Sequence, residues 1–179
     1  FFTGVWGTSP NGITKEVGCF DDKNGLFFRN KDNVVSIVVR SFASGAAVDS
    51  VVEQSNWNGD KLDGTGPSGI TLDVTKLAIW GIDFEWLGAG TIRYWYLIDG
   101  MAILIHSQHH ANKSDVVYMS TPVLPIRYSI ENDGTGPAST FDQICSTCIS
   151  EGGENPIASL RYVSTNGTAL VASPIGSVY

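Results

Sequence analysis

Asp83 and Glu85 stand two residues apart in the run Gly81-Ile82-Asp83-Phe84-Glu85-Trp86-Leu87-Gly88. If that run is a strand, both carboxylates point to one face with their Cα atoms about 6.6 Å apart. Carboxylates paired on this scale suit glycoside hydrolysis, in which one acid protonates the leaving oxygen and the other attacks or activates water. The plainer reading is an acidic strand on the solvated face of a sheet, with no catalytic residue. Trp57, Trp86, Tyr94, Trp95 and Tyr96 form a second set, able to stack against the apolar face of a sugar or to pack against another protein. In Arg93-Tyr94-Trp95-Tyr96 successive residues alternate faces, so about half of these rings point outward, where they mark an interface or a ligand, and half inward as core.

Two further groups suggest metals. Cys145-Ser146-Thr147-Cys148 has C-x-x-C spacing, but no second pair completes it. On a strand its two thiols face opposite sides, so buried, small, apolar cysteines are expected. Of His106, His109 and His110, the first and last would lie about 13 Å apart on an extended strand, too far for one ion, although a turn after Gln108 could bring them together. No metal, cofactor or catalytic residue is therefore expected.

The elements that position these residues follow from composition and turn signals. A chain of 179 residues is long enough for one core, so a single domain over 1–179 is expected. Its formal charge of −7 repels nucleic acid and anionic membranes. With 42% hydrophobic and 16% charged residues it is a folding chain, and no apolar run is long enough for membrane insertion. Three cysteines make no disulfide framework, which fits assembly in a reducing compartment. The chain opens at Phe1 rather than Met, and a trimmed start is expected.

Twenty glycines and seven prolines punctuate short apolar runs. Residues 14–20 and 26–29 read as a hairpin, with Asn24-Gly25 supplying the positive φ angles of the reversal. Residues 33–41 are rich in Val and Ile, which suits a strand. Residues 45–54 read as a helical turn and 55–69 as a long surface loop. Residues 76–86, 91–98 and 101–109 make the best-marked part of the sheet, and Asp99-Gly100 is the strongest hairpin signal. Further strands are expected at 116–120, 123–131, 139–150, 160–163 and 169–172. Asp63-Gly64-Thr65-Gly66-Pro67 returns as Asp133-Gly134-Thr135-Gly136-Pro137, which reads as one turn chemistry used twice. About ten short strands with little helix predict an all-β protein, an antiparallel β-sandwich or jelly roll.

Residues 81–88 are also similar to the Glu-Ile-Asp-x-Glu-Phe-Leu-Gly signature of laminarinase-type retaining glucanases. That family has a concanavalin-like jelly roll, with the first Glu as nucleophile, the Asp tuning it and the last Glu as acid/base. Asp83 and Glu85 match, but Gly81 stands at the nucleophile position, so the resemblance implies the fold without hydrolysis. More broadly, residues 18–28, 57–69, 83–90, 118–122 and 144–153 resemble a family of virion proteins of environmental tailed phages and large algal DNA viruses. This resemblance implies a non-enzymatic structural protein, in a capsid, decoration, fibre or tail. Its partners would be copies of itself and other virion proteins, and it would assemble in the host cytoplasm and reside in the virion. Residues 165–179, alternately polar and apolar, would be a C-terminal arm that adds to a neighbour's sheet. The alternative is a concanavalin-like carbohydrate-binding module, such as a receptor-binding fibre head on a host-surface glycan.

Overall fold

β-Branched and aromatic runs separated by turn residues build ten strands in the computed structural model, which describes residues 1–150. Residues 1–147 form one unit. Its strands are β1 (Phe2–Val5), β2 (Ile13–Phe20), β3 (Gly25–Lys31), β4 (Val34–Ser41), β5 (Val48–Glu53), β6 (Ala78–Phe84), β7 (Ile92–Ile98), β8 (Met101–Gln108), β9 (Ile126–Asn132) and β10 (Asp142–Ser146). They pair into two antiparallel sheets, sheet A in the order β10-β1-β6-β7-β8 and sheet B in the order β5-β4-β3-β2-β9. The chain crosses between sheets after β1, β5, β8 and β9. This is the expected all-β antiparallel sandwich of jelly-roll type. No helix among the described residues is long and apolar enough to cross a membrane.

Two hairpins close through paired left-handed residues, Asp32-Asn33 (φ 54° and 61°) and Asp99-Gly100 (φ 52° and 76°). That is the twist a two-residue reversal between right-twisted strands requires. The β2–β3 turn works differently from expectation, since neither Asn24 nor Gly25 has positive φ. Instead the Asp21 carboxylate accepts the N–H groups of Lys23 and Asn24, each at 2.7 Å. Residues 48–53 are a strand rather than a helical turn, because Val51 and Val52 pair with Val38 and Ile37 of β4; a short 3-10 turn, Gln54–Asn56, follows. Residues 116–120 form no strand, although Tyr118 and Met119 are buried. Strand β1 has only four residues and is too short to stand out in the sequence. Candidate strands 160–163 and 169–172 and the arm 165–179 lie outside the described residues.

Between the sheets Trp80 of β6 meets Trp6, Phe28 and Tyr96, with ring centroids 5.8, 4.8 and 5.1 Å apart. Tyr94 closes edge-on against Phe28 at 5.4 Å. The two Asp-Gly-Thr-Gly-Pro copies make the same turn. Asp63 accepts both the N–H and the hydroxyl of Thr65, and Asp133 does the same for Thr135.

Candidate functional site

Alternation along the central strands of sheet A decides which side chains are available outside. Trp80, Tyr94 and Tyr96 turn inward, while Ile79, Asp83, Arg93, Trp95 and Leu97 turn outward. Register places Asp83 opposite Arg93, Gly81 opposite Trp95 and Ile79 opposite Leu97. The Arg93 guanidinium donates to Asp83 Oδ1 from Nε at 2.8 Å, and the Trp95 indole N–H donates to Oδ2 at 2.6 Å. A second Arg93 nitrogen lies 3.5 Å from Glu85 Oε1. The carboxylate pair is therefore neutralised in part by one cation, and both Asp83 oxygens are occupied. A Cβ added at Gly81 would lie 3.1 Å from the Phe1 ring, so a glutamate there would displace that ring.

Three of the five candidate rings are corrected to core. Trp57 is 2% exposed and donates its indole N–H to Val52 O; Tyr94 and Tyr96 lie between the sheets. The Tyr94 hydroxyl donates to Val38 O, and its pKa is pushed up by burial. These rings fill the sandwich because each buries a large area. Trp86 is half-buried, edge-on to Tyr118, and Trp95 lies against Asp83, so the two form no common sugar-stacking row. Both cysteines of the C-x-x-C are exposed, against the expectation of buried thiols, since Cys145 lies on edge strand β10 and Cys148 follows it. The histidine rings have separate partners. His106 Nδ1 accepts the Asn58 N–H, His110 Nδ1 donates to Gly90 O, and His109 sits between the Thr91 and Ser107 hydroxyls. Burial, with a smaller contribution from His109, lowers the His106 pKa. Among the described residues no group of three His, Cys, Asp or Glu is placed to hold a metal.

Beside the Asp83–Arg93 pair the outer face of sheet A carries an apolar patch, bordered by Thr3 next to Ile79 and by Ser107 next to Arg93. Phe1 and Ile79 are 41% and 39% exposed, Trp95, Leu97 and Leu104 are half-buried, and Ala102 is exposed. Register joins them in two rows, Ile79–Leu97–Ala102 and Gly81–Trp95–Leu104, with the Phe1 ring over Gly81.

Sheet B presents a different outer face, with a group that sequence reading missed. Phe20, Phe27 and Val38 form a buried cluster apart from the main core. The two rings stack at 4.4 Å, and each needs a glycine across the strand pair: a Cβ at Gly18 would meet Phe27 Cβ at 2.5 Å, and one at Gly25 would meet Phe20 Cβ at 2.1 Å. Arg29 and Arg40 lie 5.3 and 5.1 Å from the Phe27 ring centre, and Arg127 lies 5.2 Å from that of Phe20. Carboxylates pin these cations. Arg29 bonds Glu16 and Asp49, Arg40 bonds both oxygens of Asp49, and Arg127 bonds Asp22. A cavity of about 540 Å³ opens here, bordered by Thr14, Glu16, Arg29, Lys31, Arg127 and Glu131. Mixed charge of this kind can hold a small polar or anionic molecule. The unbroken run Leu26-Phe27-Phe28 conceals in sequence that Phe27 faces outward; the readable signal was the Phe27-x-Arg29 alternation.

No family model, curated protein or solved structure matches the chain.

Proposed function

We propose that the chain is a non-enzymatic virion structural protein that packs against further copies of itself through the outer face of sheet A. One observation carries this reading: Phe1, Ile79, Trp95, Leu97, Ala102 and Leu104 form a contiguous apolar face whose side chains carry no charge. A chain of net charge −7 repels its own copies over most of its surface, and an uncharged apolar face is where that repulsion is weakest and burial gains most. Packing of like on like gives symmetric assembly. The virion setting, host-cell assembly and other virion proteins as partners rest on the sequence resemblance.

Sedimentation tests it at two levels. Purified protein should run as an oligomer, and peptides of this chain should be found at fixed, high copy number in the fast-sedimenting fraction of native material. Recovery only as a slow, soluble monomer would remove the reading. The charged cavity over sheet B supports the second reading, a carbohydrate-binding module such as a fibre head on host-surface glycan. Under that reading a glycan array gives signal that Arg127→Ala abolishes and Leu97→Lys spares.

A further inference from the structure

Lys15 and Asn30 face each other across the β2–β3 pairing, and both are inside, at 1% and 0% exposure. Among the described residues Lys15 makes no ion pair. Its Nζ donates instead to Trp6 O at 2.5 Å and Thr8 O at 2.8 Å. Asn30 Nδ2 donates at 3.4 Å to the carbonyl of Gly7, the residue between those two, while Asn30 Oδ1 is buried with no partner. The two head groups thus converge on one three-residue segment, Trp6-Gly7-Thr8. Burying an ammonium without a carboxylate is unfavourable, and so is burying an amide oxygen without a donor. Here both occur side by side, and a single reaction relieves the first and rebuilds the second.

We propose that Lys15 and Asn30 join in an intramolecular isopeptide bond. The lone pair of the neutral Lys15 amine attacks Asn30 Cγ, a new Nζ–Cγ bond forms, and the Cγ–Nδ2 bond breaks. Nδ2 leaves as ammonia, taking a proton from Nζ. Starting from the lysine ammonium, the leaving group departs as ammonium, so the exchange needs no net acid, base, oxidant or reductant. Desolvation lowers the Lys15 pKa and enlarges the neutral, nucleophilic fraction. The charge of the Asp142 carboxylate acts on the same amine in the opposite sense and is the smaller of the two effects. Strand pairing holds the two Cα atoms about 5 Å apart, and attack requires the lysine side chain to turn from the Trp6 and Thr8 carbonyls toward Asn30.

The test is mass spectrometry on the folded, full chain after denaturation. The expected intact mass is lower than that of the sequence by one ammonia. Digestion should give a branched peptide joining residues 15 and 30, with no tryptic cleavage at Lys15. Succinimide formation at Asn11-Gly12, Asn24-Gly25, Asn58-Gly59 or Asn166-Gly167 also sheds ammonia, so the joined peptide decides. Asn30→Asp should give the same branched product with loss of water in place of ammonia, and Lys15→Met should keep its full mass. Full intact mass with linear Lys15 and Asn30 peptides overturns the proposal, as does ammonia loss confined to the Asn-Gly sites. The native chain by itself separates these outcomes, whether or not either variant folds.

Discussion

Phe27 and Ile79 hold matching places, each facing outward from the central strand of its sheet, β3 or β6. Yet Phe27 is 0% exposed and Ile79 is 39% exposed. Sheet B completes its outer face from within: Phe27 stacks on Phe20, two guanidiniums lie over it, and Glu16 and Asp49 fix those guanidiniums. Each such cation–ring contact contributes about 0.5–1 kcal/mol at a surface site, and burial of the ring about 1.5–3 kcal/mol. Among the described residues no ring or cation pair of this kind lies over Ile79 and Leu97. The same architecture thus carries one face whose apolar groups are covered by its own side chains and one whose apolar groups await a neighbour. The first contributes to the stability of the chain, the second to its association.

The largest effect should come from removing the covered ring. Phe27→Ala leaves a cavity under Arg29 and Arg40 and should cost about 3–5 kcal/mol, as truncation of a fully buried Phe does. Ile79→Ala on the other sheet, half in solvent already, should cost about 1 kcal/mol or less in the monomer. Urea titrations of both variants at low protein concentration measure the pair of values. Equal losses would show that the two faces do not differ as described.

Next comes the charge that holds the cover in place. Burial alone would raise the Asp49 carboxyl, but the hydrogen bonds from Arg40 and then Arg29, with their charges, hold it below its ordinary value of 3.8. A carboxyl depressed by folding contributes stability that is fully present above the unfolded value and is lost as pH falls through the lower folded one. Stability of the native chain should therefore fall below about pH 4. Asp49→Asn should cost about 2 kcal/mol at neutral pH, as expected for hydrogen bonds to a charged group. It should also flatten that acid limb. An unchanged limb would place the acid sensitivity elsewhere.

The comparison also shows where sequence was informative. The long runs 91–98 and 101–109, joined by Asp99-Gly100, were legible because period-two alternation and turn chemistry agree there. The same alternation places Trp95 outside with Arg93 and puts Tyr94 and Tyr96 within. Strand β5 was obscured because only register against β4 gives its valines a partner. Trp57 read as a loop ring open to solvent, but its loop folds inward around Asp60, whose carboxylate accepts the N–H groups of Leu62 and Ser68. The sheet B cluster was hidden because its parts come from four strands, β2, β3, β4 and β9, and no local pattern joins Phe20 to Arg127. Cross-strand glycines such as Gly18 are legible only once the register is known.

The smallest effect on stability should accompany the largest on association. Leu97 is half-buried at the middle of the outer face of sheet A, opposite Ile79 on one side and Ala102 on the other. A lysine there can run its methylenes along the face and keep its ammonium in water, so Leu97→Lys should change monomer stability by no more than about 0.5 kcal/mol. In an association through this face the same ammonium is buried against its symmetry mate, where like charges oppose each other without a partner. Sedimentation velocity should therefore show Leu97→Lys as a monomer at concentrations where the native chain is an oligomer. Arg127→Ala on sheet B should leave the oligomer intact, because the cover over Phe20 belongs to the chain itself. An oligomer that survives Leu97→Lys but dissociates in Arg127→Ala would reverse the assignment of the two faces, making the charged sheet the contact and the apolar one the free surface.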